Sequence, residues 1–144
     1  MITELDRIAS KRLRADGQRY TDNRRELVAL LGSVRTPLTI PDIMERRPDL
    51  AQSSVYRNLS VLERAGVVQR IVTNDEWARY ELAESLTEHH HHLICDTCGR
   101  IEDFTVSARL ERSIDDALLQ VAATAGFSPG HHRLDLVGRC ASCA

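Results

Sequence analysis

Two Cys-x-x-Cys pairs, Cys95/Cys98 and Cys140/Cys143, hold all four cysteines of this 144-residue chain. They restrict its fold more than any other feature. In a reducing compartment two such pairs point to one tetrahedral S4 zinc site, with disulfides or free thiols as the alternatives. A metal held there closes residues 99–139 into one unit. Aromatic residues are only 4 % of the chain, so a unit this small gains from such a staple. No apolar run approaches the roughly 20 residues that span a bilayer. The stretch MITELDRIASKRLR is charged throughout and has no apolar signal core. These features predict a globular protein of the cytoplasm with no membrane partner.

The net charge of −2 hides an uneven distribution. Residues 1–72 carry 13 Lys and Arg against 9 Asp and Glu, while residues 73–144 carry 6 against 12. A basic front joined to an acidic back suggests two modules with different partners.

Periodicity agrees with that division. Leu5, Ile8, Ala9 and Leu13 recur at helical spacing up to Gly17. Thr21 or Asp22 can cap a second helix carrying Leu27, Val28, Leu30 and Leu31, with Gly32 as its stop. Thr39 precedes a short helix with Pro41 in its first turn. Ser53 is placed to cap a fourth, whose inner face is Val55, Leu59 and Leu62 and whose end is Gly66. The segments VVQRIV and ARYEL then alternate as a hairpin around TNDE. The expected fold is α+β. A winged helix-turn-helix occupies residues 1–82, AESLTE (83–88) forms a hinge, and a C-terminal α/β unit covers 89–144. In that unit HHHHLIC, IEDF and HRLDLVG read as strands, with a helix from Ser107 to Ala125.

The run His89-His90-His91-His92 carries the chemistry. On a strand successive side chains face opposite ways, so His89 and His91 share one face and His90 and His92 the other. Four imidazoles can then serve two metal sites. Two imidazoles leave a divalent ion open, and the further ligand candidates are Glu81, Glu84, Glu88, Glu102, Asp103, Glu111, His131 and His132.

In the helix from Ser53, Ser54, Tyr56, Arg57 and Asn58 lie opposite the apolar face, near the N-terminal end. Arg and Asn there can bond base edges in a major groove. A basic flank of Lys11, Arg12, Arg14, Arg19, Arg24 and Arg25 supports double-stranded DNA as the partner. Arg14 and Arg19 join the four helix residues as DNA-binding candidates. Trp77 is read as a packing residue.

The series Arg19-Tyr20-Thr21-Asp22-Asn23-Arg24, SSVYRNLSVLERAGVV, ARYEL, HHHHLICDTCGRIEDF and HHRLDLVGRCASC resembles the ferric uptake regulator family over roughly residues 19–143. The resemblance implies a homodimeric, metal-dependent repressor of palindromic operator DNA that senses iron or another divalent metal. It implies a structural Zn2+ at Cys95, Cys98, Cys140 and Cys143. A regulatory Fe2+, Mn2+ or Zn2+ would sit at Glu81, His90, His92 and Asp103, and a further site at His89, His91, Glu111 and His132.

Three departures bear on the regulatory site. Many relatives supply a histidine from the DNA-binding domain where Pro37 is expected here. The segment before the histidines lacks the cysteine of many zinc sensors, and it is about two residues longer than in iron sensors. Glu84 or Glu88 is therefore expected as a replacement ligand. Peroxide- or zinc-sensing within the family is the alternative reading. A zinc hydrolase or deaminase needs H-x-E followed by P-C-x-x-C, which this chain lacks. A zinc-buffering protein with an incidental helical domain is a further rival, and it should not bind DNA at any metal level.

Overall fold

The computed structural model describes residues 2–144. Helix α1 (Glu4–Ala15) starts at a reciprocal cap: the Thr3 hydroxyl accepts from the Asp6 N–H at 3.0 Å, and the Asp6 carboxylate accepts from the Thr3 N–H at 3.1 Å. Helix α2 (Asp22–Ser33) is capped by Thr21 and runs through Gly32 instead of stopping there. A Cβ on Gly32 would come 3.2 Å from Leu5 and 3.4 Å from Leu82. The missing side chain lets α2 sit close to its neighbours and does not break the helix. Strand β1 (Leu38–Thr39) leads into α3 (Ile40–Arg46), where Thr39 and Asp42 form a second capping box.

Helix α4 (Gln52–Arg64) begins one residue before the expected cap. Ala51 is its N-cap and offers no side-chain bond, which puts Ser53 inside the first turn. Strands β2 (Val68–Val72) and β3 (Ala78–Leu82) follow, and the order β1-β3-β2 makes a three-stranded wing sheet. Helices and wing share one core containing Leu13, Leu27, Val28, Ile43, Val55, Leu59, Leu62 and Val67.

A 3-10 turn (Glu84–Leu86) leaves β3. It stays attached to the N-terminal unit, because the Ala83 N–H bonds Val67 O at 2.9 Å and Leu86 packs on the core. Strands β4 (His91–Cys95), β5 (Ile101–Phe104) and β6 (Asp135–Gly138) form a second sheet in the order β5-β4-β6. His92 lies opposite Asp103 in the antiparallel pair and opposite Asp135 in the parallel one. Helix α5 (Ala108–Ala125), capped by Ser107, makes the crossover. His132 precedes β6, so the expected strand is shorter than its alternating pattern.

The two units touch at the wing tip. Arg79 holds Asp75 at 2.7 Å and Thr73 at 3.0 Å, and this cluster lies on Gly99 of the first cysteine knuckle. Gly99 has φ +76°, and a Cβ there would collide with the Asp75 carboxylate. No helix among the described residues is long and apolar enough to cross a membrane.

Candidate metal centres and DNA-reading helix

The four cysteines meet where the β4–β5 knuckle faces the chain after β6. All four sulfurs lie within 4.8 Å of one another, none is in a disulfide, and Cys98 Sγ is 3.8 Å from Cys140 Sγ. A tetrahedron with zinc–sulfur bonds of about 2.3 Å has an edge of about 3.8 Å. The Cys95 sulfur accepts backbone N–H groups of Cys98 at 3.5 Å and Cys140 at 3.4 Å. Those bonds, Cys98's first, lower its thiol to about 6 and favour the thiolate that a metal needs. The cluster suggests a structural zinc.

A second group forms between β3 and the second sheet. His90 Nε2 lies 3.2 Å from Glu81 and 3.7 Å from Asp103; His92 Nε2 lies 3.0 Å from Glu81 and 3.6 Å from Asp103. The outer ring nitrogens are held elsewhere: His90 Nδ1 by the Glu88 carbonyl at 2.9 Å, and His92 Nδ1 near Asp135 at 3.5 Å. Gln69 donates to Glu81 at 2.5 Å across the wing sheet. Such partners fix which nitrogen points inward.

His92 Nε2 and Asp103 Oδ1 are buried without an aligned hydrogen bond despite their close neighbours. Each would cost about 1–3 kcal/mol if nothing answered it, and atoms converging on a shared cation have this geometry. Burial, then the neighbouring Glu81 charge, pushes Asp103 up. Burial also pushes Glu81 up, but His92, Gln69 and His90 outweigh it and hold that carboxyl below its usual range. Burial opposes charging of His90 and His92, yet both rise. The Glu88 carbonyl leads the opposing effects at His90, and the Glu81 carboxylate close to Nε2 leads them at His92.

The third group packs β4 against α5. His91 Nε2 and His89 Nε2 each lie 2.9 Å from the Glu111 carboxylate, and His132 Nε2 lies 2.7 Å from it. The bond from His91 leads the effects that lower Glu111. His132 Nδ1 is backed by Asp115 at 3.0 Å. His89 and His91 thus turn toward α5, and His90 and His92 toward β3.

Several expectations require correction. Glu84 does not enter the group with Glu81: its carboxylate meets His89 Nδ1 and lies 3.9 Å from His131. The Glu88 side chain is exposed, and only its carbonyl contributes. Glu102 points away from both groups and pairs with Arg100. Pro37 is buried, and the small cavity of about 50 Å³ beside Glu81, His90 and Asp103 is lined by Arg35 and Thr36. Gln69, Asp135 and Asp115 were not anticipated, because outer partners carry no spacing signal of their own.

On α4, Tyr56 and Arg57 are exposed but Asn58 is not. Asn58 accepts from Arg24 at 3.0 Å and donates to Ser54 at 3.1 Å, so this pair faces α2 and locks the two helices. Arg12 and Arg24 likewise spend donors on Gly66 O and Arg19 O, both at 2.6 Å. Arg14 and Arg19 remain exposed along a cleft that also holds Arg7 and Lys11.

A helical unit with a wing, joined to an α/β unit bearing clustered metal donors, defines a metal-dependent transcription regulator. The chain belongs to the ferric uptake regulator family, whose sequence model matches residues 15–137. It is accordingly a regulator and not an enzyme. The peroxide operon regulator of Bacillus subtilis is 29 % identical over 140 residues, covering 94 % of this chain and 91 % of that protein. The peroxide-responsive repressor PerR of Staphylococcus saprophyticus is 27 % identical over 135 residues, covering 91 % and 86 %. The Helicobacter pylori ferric uptake regulator Fur, described as having three functional metal-binding sites, superposes with a TM-score of 0.72. That match has 26 % identity over 99 % of this chain and 95 % of the other.

Proposed function

We propose that this chain is a homodimeric, peroxide-responsive repressor whose DNA binding requires a divalent metal at Glu81, His90, His92 and Asp103. The observation that carries the reading is the donor set itself. It is built from imidazoles and carboxylates with no thiol, and it joins Glu81 of the wing sheet to β4 and β5 of the other unit. Nitrogen and oxygen donors suit Fe2+ and Mn2+. When bound, an iron(II) ion supplies one-electron reduction of peroxide, which manganese(II) in the same donors does not. That the B. subtilis relative is a peroxide operon regulator and the S. saprophyticus relative a peroxide-responsive repressor favours this reading over iron-uptake control.

The rest of the chain serves that switch. A zinc at the four cysteines holds the C-terminal unit together, and a metal at His89, His91, Glu111 and His132 ties β4 to α5. Leu118, Val121 and Phe127 around α5, with Leu136 and Val137 of β6, expose large apolar surface; a second copy of the chain is the occupant that a two-fold operator requires. Tyr56 and Arg57 read the major groove, and Arg14 and Arg19 contact phosphates of the operator in the cytoplasm. Units of 1–82 and 89–144, with 83–88 between them, are the moving parts.

The test is operator binding by protein loaded with Fe2+ or with Mn2+, before and after equimolar peroxide. Loss of affinity with Fe2+ alone is expected. Equal survival of both complexes refutes peroxide sensing.

A further inference from the structure

Glu84 belongs to none of the three donor groups, yet its carboxylate is committed. It meets Nδ1 of His89, whose Nε2 points at Glu111 and lies 3.2 Å from His132 Nε2. The second oxygen faces His131 Nε2 at 3.9 Å. With a cation on the Nε2 side this would be a carboxylate–imidazole–metal relay, in which the outer group fixes the tautomer and the direction of the inner one. His132 has the equivalent partner in Asp115, at 3.0 Å, but Asp115 sits on the same helix as Glu111. Glu84 sits elsewhere, in the turn between the two units.

The backbone around Glu84 is fastened to the DNA-binding side. Ala83 donates to Val67 at 2.9 Å, and Leu86 packs on the N-terminal core. The turn therefore has two attachments: its backbone and Leu86 to the winged-helix unit, and its Glu84 side chain to a donor of the third group. A cation pulling the Nε2 atoms of His89, His91 and His132 onto Glu111 sets the plane of the His89 ring. That plane decides whether Nδ1–H can reach Glu84.

The geometry points to Glu84 as a positioning residue that makes the conformation of the 83–88 turn depend on metal at His89, His91, Glu111 and His132. This rests on the proposal that these four residues hold a metal. It gives the site a second role: besides binding β4 to α5, it restrains the connection to the DNA-binding unit. By linkage, any state of the turn that favours Glu84–His89 contact also tightens metal there by the same factor.

The experiment uses full-length, zinc-loaded protein carrying His92→Ala, which disables the neighbouring nitrogen/oxygen site, titrated with Co2+ alone. Glu84→Ala is expected to weaken Co2+ binding by about tenfold to a hundredfold. Glu84→Gln keeps most of the affinity, because its amide oxygen still accepts the imidazole N–H. The Co2+ ligand-field bands at saturation are the same in all three proteins. Co2+ slows hydrogen exchange of the 83–88 amides when Glu84 is present and fails to do so in Glu84→Ala, even at saturation. Unchanged affinity and unchanged protection in Glu84→Ala overturn the proposal. Altered bands in Glu84→Gln also overturn it, since Glu84 would then be a ligand. If protein with Glu84 intact binds no Co2+ that His91→Ala removes, the metal site itself is wrong.

Discussion

Replacing Asn58 with alanine separates packing from DNA reading on α4. The change removes the acceptor of Arg24 Nε at 3.0 Å and the donor to Ser54 at 3.1 Å. A lost hydrogen bond to a charged donor costs about 1.5–3 kcal/mol. Arg24 is only half-buried and keeps its 2.6 Å bond to Arg19 O, so the lower end applies. Alanine returns up to about 0.7 kcal/mol of helix propensity. The net expectation is a loss of about 1 kcal/mol, read as a lower urea midpoint at unchanged slope. Operator sequence preference stays as it was. Arg57→Ala is the mirror case: Arg57 is exposed, so stability stays within about 0.5 kcal/mol while operator affinity falls by about 1–3 kcal/mol. If Asn58→Ala unfolds at the unaltered midpoint and loses discrimination at one base pair, Asn58 reads DNA and the packing argument is wrong.

The histidine run yields a second expectation. His90→Ala and His92→Ala abolish metal-stimulated operator binding in gel shifts, whereas His89→Ala and His91→Ala chiefly lower thermal stability; one shared phenotype would dissolve the two-site division. Cys98→Ser is expected to lose about one zinc per chain together with the dimer, and a stable zinc-free dimer in sedimentation would contradict that. Protons compete with metal for the inner nitrogens of His90 and His92, both raised above 6.5. Mn2+ affinity is therefore full above their raised values and falls as pH drops through them. Metal-free stability runs oppositely: their contribution is present below 6.5 and is lost as pH rises through the raised values. Calorimetric Mn2+ affinity that stays flat from about pH 6 to 8 would contradict the first half.

Strong periodicity made the long elements readable: α1, α4 and α5 follow their apolar spacing, and the histidine alternation separates two faces wherever the backbone is extended. Elements set by tertiary contact were not readable. Strand β1 is two residues long and exists because Leu38 and Thr39 pair with Tyr80 and Arg79. Gly32 looks like a helix stop in isolation, but close packing against Leu5 and Leu82 overrides that signal. Asn58 carries a recognition-helix residue type at a suitable place, and only the position of Arg24 on the facing helix turns it inward. Glu84 could be shortlisted as a ligand-like carboxylate, yet the 3-10 turn that aims it at His89 has no pattern in AESLTE.

Gly99 joins two parts of the molecule that would otherwise be described separately. Having no side chain, it lets the Asp75–Arg79 pair at the wing tip rest directly on the cysteine knuckle. The knuckle is thus a bearing surface for the hairpin that follows and packs on α4. Its contour is set by how Cys95 and Cys98 are drawn toward Cys140 and Cys143. Any change that spread those thiols apart would be felt at the seat of the wing as well as in the second sheet. The thiol cluster and the wing then share one seam, and a residue larger than glycine there would have to displace the Asp75 carboxylate from it.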